Sequence, residues 1–380
     1  MKKLLAAVCA VLCTAGAAFA QDFRVSNELG SEGIMIMLPD WNHNNHDFGF
    51  GGLYDTVSGL VHYGPFSVQA EYKLRLTGQH EPGEELRFTG LLKRANVWFR
   101  PAPWVELAVG NSFYQATQGS YMMVYDDYTI DGNYGRNGFG ATFRIADFVR
   151  IGLNLPVTQT WWTASDEFRL QLNAGVDFSL FDDDLTIGGF IKIFTSGSPV
   201  FGINASFSGL DGLYIGGGYT FRGESIAQFE NSVIDTDLYY RKIDSYSFSY
   251  GRGNAAHLID LTVRFDFDDF TIAADLEPGF AEHNNQYNPF YAGLLFGMEV
   301  DDNIEFNVSA AYYGLWYNNA DADERESRDR WEIYPRFAFS LGDRHEILAG
   351  CVIFINEQNF APGNYSLGFA VPLSWKYTYE

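Results

Sequence analysis

Seven histidines are spread through the 380-residue chain, at His43, His46, His62, His80, His257, His283 and His345. His43 and His46 stand three residues apart in Trp41-Asn42-His43-Asn44-Asn45-His46-Asp47, and two imidazoles at that spacing could bind a transition metal if the loop folded them together. A solvated Asn-rich loop explains the same residues, so no metal and no cofactor is expected there. No histidine lies in a recognisable nucleophile motif, and hydrolytic chemistry needs a nucleophile or activated water with a positioned base. The chain is therefore not expected to be an enzyme. Asp182-Asp183-Asp184 has the composition of a turn rather than of a metal triad. The mixed run from Asp321 to Arg330 fits a hydrated loop, or one bridged by divalent cations to anionic headgroups. Charge could also act without covalent chemistry. Asp126, Asp127 and Asp131 lie in one long polar stretch, and Lys73, Arg75, Arg144, Arg150 and Arg169 sit on alternating segments. Opposed across a narrow passage, such groups produce a transverse field that orients dipolar solutes and filters ions.

The elements that would hold them follow from the hydrophobic period. From 168 to 178, Phe168, Leu170, Leu172, Ala174, Val176 and Phe178 alternate with Arg169, Gln171, Asn173, Gly175 and Asp177. Successive side chains of a strand point to opposite faces, so one face is apolar and the other polar or small. The same grammar recurs: strand, tight turn, strand, longer polar loop. Eight tight turns are expected, near Tyr63-Gly64-Pro65, Pro101-Ala102-Pro103, Ala146-Asp147, Asp182–Asp184, Gly209–Gly212, Asp268-Asp269, Asp301–Asn303 and Gly342-Asp343. The longest loops fall near 115–135, 223–254 and 316–330. Adding one strand at about 23–37 and one at about 364–379 gives eighteen, and sixteen if the irregular stretches 23–50 and 115–135 contribute less.

The two faces differ in kind. Val68, Tyr72, Leu74, Phe143, Leu261, Val263, Phe265, Phe306, Val308, Phe337 and Phe339 share one face with no charge among them. Glu71, Lys73, Arg75, Arg144, Asp260, Arg264, Asp266, Glu305, Asn307, Glu332 and Arg336 share the other. Short turns at one end, long loops at the other and an uncharged outer face predict an all-β fold, a closed antiparallel transmembrane barrel of sixteen to eighteen strands. Its polar face must look into a lumen. Gly140, Gly152, Gly175, Gly188, Gly202, Gly216 and Gly218 fall on that face, which suggests a wall lined by an infolded loop or bent more sharply, or one with reduced bulk.

Composition agrees. With 47% hydrophobic and 17% aromatic residues the chain is not disordered, and a formal charge of −23 excludes a nucleic-acid partner. Residues 1–20 read as a signal peptide: Lys2 and Lys3, an apolar run to Cys13, then Ala18-Phe19-Ala20 before Gln21. Residues 21–380 then form a single barrel domain with one cysteine, Cys351, in a run so apolar that its facing is open.

At the C-terminus Tyr365, Leu367, Phe369, Val371, Leu373, Trp375, Tyr377 and Tyr379 occupy every second position, with Glu380 after the last aromatic. This resembles the terminal strand of bacterial outer-membrane barrel proteins of the porin-like class. The resemblance implies an outer-membrane location, recognition of Phe369, Val371, Leu373, Trp375, Tyr377 and Tyr379 by the barrel-assembly machinery, and outer-membrane lipid as a partner. Sixteen to eighteen strands leave an aqueous channel, so the expected function is a pore for passive diffusion of ions or small hydrophilic solutes. The loop at about 115–137 takes the position of the constriction loop in general diffusion porins, and the acidic balance predicts modest cation selectivity. A surface adhesin or antigen displaying its loops is the alternative, and an outer-membrane hydrolase a more distant one. Oligomeric state is left open.

Overall fold

The computed structural model describes residues 22–31, 34–39, 47–50, 52–77, 87–110, 137–146, 148–157, 171–194, 200–221, 257–280, 287–317, 328–355 and 365–379. Every regular element among them is a strand. In chain order these are β1 (Asp22–Ser31 and Ile34–Pro39), β2 (Asp47–Phe50 and Gly52–Tyr63), β3 (Phe66–Thr77), β4 (Arg87–Ala102), β5 (Val105–Gly110) and β6 (Asn137–Ile145). Then come β7 (Val149–Val157), β8 (Gln171–Leu180), β9 (Leu185–Phe194), β10 (Val200–Leu210), β11 (Leu213–Phe221) and β12 (His257–Asp266). The set ends with β13 (Phe270–Phe280), β14 (Tyr287–Asp301), β15 (Ile304–Tyr317), β16 (Arg328–Leu341), β17 (His345–Gly350 and Val352–Ile355) and β18 (Tyr365–Ala370 and Leu373–Tyr379).

Each strand pairs antiparallel with its neighbours in sequence, and β1 pairs with both β2 and β18, so the eighteen strands close on themselves. Closure satisfies the backbone without leaving an edge, the condition for crossing a bilayer with strands. The breaks in β17 and β18 have a local cause. Cys351 donates its N–H to the Pro335 carbonyl at 3.0 Å and Gly350 to that of Pro372 at 3.2 Å, and neither proline has an N–H to return the bond. The register settles the facing of Cys351. It lies opposite outward Pro335 and alternates with buried Val352, which puts it on the outer face.

All eight expected turns are present at one rim, where Asp22 lies opposite His62 and Val25 opposite Tyr379. Turn chemistry differs between them. Gly212 has φ +70°, and a Cβ there would strike the Asp266 carbonyl oxygen, so only glycine fits. The turn after β8 instead holds Phe181, Asp182 and Asp183 in left-handed conformations, at φ 56°, 57° and 73°. Aspartate tolerates this region, whereas Phe181 carries a conformational cost of about 1 kcal/mol or more.

Burial is inverted relative to a water-soluble protein. Asn96, Thr142, Asp177, Asn204, Thr262, Asp275, Asn307, Ser309 and Glu332 are buried on the inner face, while Ile203, Ile187, Leu261, Leu294, Phe337 and Val371 are exposed on the outer one. Aromatic rings bound that apolar belt. At the turn rim Phe66 stacks on Phe99, Phe267 on Phe270 and His345 on Trp375, and Trp104 and Phe148 are exposed. At the opposite rim Phe201 meets Phe221, Tyr219 meets His257 and Tyr312 meets Trp331. Two aromatic girdles around an apolar belt place the barrel across a membrane.

Candidate functional site

The inner wall is built by register. One ladder row crosses seven strands: Arg144 on β6, Arg150 on β7, Asp177 on β8, Gly188 on β9, Asn204 on β10, Gly218 on β11 and Asp260 on β12. Within it the Arg150 guanidinium donates to the Asp177 carboxylate at 2.9 Å, with the two side chains only 14% and 2% exposed. A pair so withdrawn from water adds order to the wall but little net field to the lumen. Arg144, its neighbour in the row, stays exposed. It borders a cleft of about 220 Å³ at the turn rim lined by Arg100, Trp104, Glu106 and Thr142, where Arg100 and Glu106 form an ion pair.

The glycines of this wall act as seats for side chains. A Cβ on Gly188 would lie 2.5 Å from Asp177 Oδ1 and 2.6 Å from Asn204 Oδ1, so the two polar groups lean over bare backbone. The same device recurs around the barrel. The side chain of Tyr214 covers Gly216, that of Asn307 covers Gly297, and that of Tyr334 covers Gly350. Covering of a glycine, across strands at Gly188, Gly297 and Gly350 and along the strand at Gly216, restores contact that the missing side chain removes.

On β12 to β16 larger side chains occupy more of the wall, beside the glycine seat at Gly297. Thr262 Oγ1 donates to Asp275 Oδ1 at 2.9 Å with both residues buried. Asn307 Nδ2 donates to Glu305 Oε1 at 3.0 Å, the Arg336 guanidinium lies 5.7 Å from the Tyr334 ring centroid, and Tyr291 and Glu332 are fully buried. Near the closing seam the inner face carries Tyr54 donating to Glu28 Oε1 at 2.7 Å and the Ser26–Ser58 hydroxyl pair at 2.6 Å.

Of the residues the sequence singles out, Arg144 and Arg150 lie opposite each other in the ladder, and Lys73 and Arg75 lie on β3 opposite Thr56 and Tyr54. Phe369, Val371, Leu373, Trp375, Tyr377 and Tyr379 belong to the last strand or its break. Asp126, Asp127, Asp131, Arg169, His43 and His46 lie outside the described residues, as do His80 and His283. The remaining histidines have structural partners: His62 with Ser67 at 2.7 Å, His257 with Tyr219 at 2.8 Å and His345 with Trp375 at 3.2 Å. Among the described residues no group of three His, Cys, Asp or Glu side chains could hold a metal ion. Sequence reading named Arg150 without its counter-ion. Asp177 was visible as a polar position in the alternation, but nothing local announces which strand position faces it.

Solved structures of outer-membrane channels share this architecture. OccK2 (OpdF) of Pseudomonas aeruginosa in complex with glucuronate superposes with a TM-score of 0.59 at 9% identity, covering 95% of this chain and 98% of that one. OccAB4 of Acinetobacter baumannii gives 0.57 at 8%, covering 95% and 98%. The outer membrane protein OpdK of Pseudomonas aeruginosa gives 0.55 at 10%, covering 95% and 100%. The fold is that of a bacterial outer-membrane channel. No family model and no curated protein matches the chain by sequence.

Proposed function

We propose that the protein is an outer-membrane pore through which small hydrophilic solutes or ions diffuse passively. The observation that carries this is the inverted wall: eighteen strands close around a face lined by Arg150, Asp177, Asn204, Asp275 and Arg336, and that number of strands leaves a water-filled lumen. Purified protein in planar bilayers should give stepwise conductance, and a barrel that inserts without conducting would favour the adhesin reading.

A weak preference for cations is the finer part of the proposal. Four consecutive turns of the periplasmic rim carry Asp182, Asp183, Asp184, Asp211, Asp268, Asp269, Asp301 and Asp302. Their summed potential concentrates cations at the mouth and fades with salt, whose screening length is roughly 10 Å at 0.1 M. Asp126, Asp127 and Asp131, opposed to Lys73, Arg75, Arg144, Arg150 and Arg169, would add a transverse field if their loop enters the lumen. Reversal potentials under a KCl gradient test the sign, and comparison with an Asp126→Asn/Asp127→Asn variant separates loop from rim.

A second reading rests on exposed Arg144 and the cleft beside it. The channels cited above include one solved with glucuronate and OpdK with vanillate, both carboxylates. An uptake preference for carboxylated over neutral solutes, lost in Arg144→Gln, would replace the cation reading.

A further inference from the structure

The outer face is apolar on strand after strand, with one exception. On β1 and β2 the outward residues are fixed by Leu29, Leu53 and Val57, which are 48%, 42% and 39% exposed, while Ser26, Glu28, Tyr54 and Ser58 bond across the inner face. Asn27 and Asp55 share the outward parity. Asn27 lies opposite Tyr377 and Val57, and Asp55 lies opposite Leu29 and Leu74. Their side chains bond each other, Asn27 Nδ2 donating to Asp55 Oδ1 at 2.6 Å. Among the described outward positions between the two girdles, Asp55 is the one carboxylate. A carboxylate at this depth is costly against hydrocarbon, because nothing there replaces its hydration. One donor from Asn27 leaves most of its acceptor sites unmet.

The surface beside the pair is flat and small. One ladder row runs Val25, Gly59, Ala70, Ala95, and a Cβ on Gly59 would meet nothing within 4 Å. Another wall could approach this strip closely. We propose that the β1–β2 face is covered in the membrane by the same face of a second copy of this chain, about a two-fold axis along the membrane normal. Such an axis exchanges left and right while conserving depth. It therefore sets β1 of one copy against β2 of the other. Asn27 of each copy then faces Asp55 of its mate, and the second amide hydrogen of Asn27, held in the monomer only by the Thr56 carbonyl at a long 3.5 Å, turns to the carboxylate of the mate. An isologous contact requires this self-complementarity. A partner of different sequence would need its own amide donor at matching depth, whereas a second copy carries one by construction.

Disulfide capture in bacterial outer membranes tests the contact, in a full-length chain with Cys351→Ala. Val57→Cys, outward and opposite Asn27 beside the axis, should give a disulfide-linked dimer on mild oxidation, and Ile215→Cys, outward on distant β11, should not. Adding Asn27→Leu/Asp55→Leu should lower the Val57→Cys dimer yield about tenfold or more, the scale of a charge-assisted hydrogen bond. Retained heat-modifiable migration shows that the barrel itself is intact. Should the double variant fail to assemble, Asn27→Leu alone should still lower the yield. Monomer from Val57→Cys, equal capture at Ile215→Cys, linkage to a different protein, or a yield indifferent to the Leu substitutions each overturns the proposal.

Discussion

Two stretches of the inner wall solve one problem in opposite ways. On β6 to β11 the lumenal face carries Gly140, Gly152, Gly175, Gly188, Gly202, Gly216 and Gly218, and Asp177, Asn204 and Tyr214 lie down over the vacated backbone. On β12 to β16 the face is occupied by Thr262, Asp275, Tyr291, Asn307, Glu332, Tyr334 and Arg336, with Thr262 bonded to Asp275 and Arg336 set over the Tyr334 ring. In the wall the buried charges Arg150 and Asp177 are matched to each other, while Arg144 beside them stays exposed. Net charge read from sequence therefore overstates the field inside. What differs is where the bulk sits. The glycine stretch keeps its polar groups close to the backbone, and the filled stretch carries larger side chains on the lumen face.

Substitutions that disturb the glycine stretch should have the larger consequences. Arg150→Met withdraws the cation from a carboxylate that is 2% exposed, and the expected cost is about 3 kcal/mol, measured as a lower unfolding midpoint in the presence of detergent. Gly188→Ala puts a methyl group 2.5 Å from Asp177 Oδ1 and must push the Arg150–Asp177 pair inward. It should cost about 1–3 kcal/mol and lower single-channel conductance, which separates it from a change in stability alone. On the filled side, Thr262→Val deletes the 2.9 Å bond to Asp275 and should cost about 1–2 kcal/mol without altering conductance. At the rim Arg264 and Asp266 also pair at 2.9 Å, but each is 44% exposed, so Arg264→Gln should change stability by less than about 1 kcal/mol. If Arg264→Gln proves as damaging as Arg150→Met, the contrast between buried and rim charges fails.

The turn sequence Phe181-Asp182-Asp183-Asp184 shows how local chemistry was legible. Its aspartates marked a tight turn, and the structure holds a tight turn there with three left-handed residues. The strand count was less so. The register shift at Leu38/Pro39 broke the alternation of β1, and Pro335 and Pro372 broke the ladder around Cys351, which is why that facing was open from sequence.

Sequence alone determined that this chain makes an eighteen- or sixteen-stranded closed sheet, which residues share a face along its regularly alternating strands, and where the short turns lie. It could do so because side-chain direction in a strand has period two and turns have their own residue chemistry. Tertiary structure decided which residues meet across strands: Arg150 with Asp177, Asp177 and Asn204 over Gly188, Thr262 with Asp275, and Asn27 with Asp55 on the outer face. Those pairings depend on register, the sliding of one strand past another. Register is fixed by closing eighteen strands into one ring, a condition that no single segment of the sequence contains.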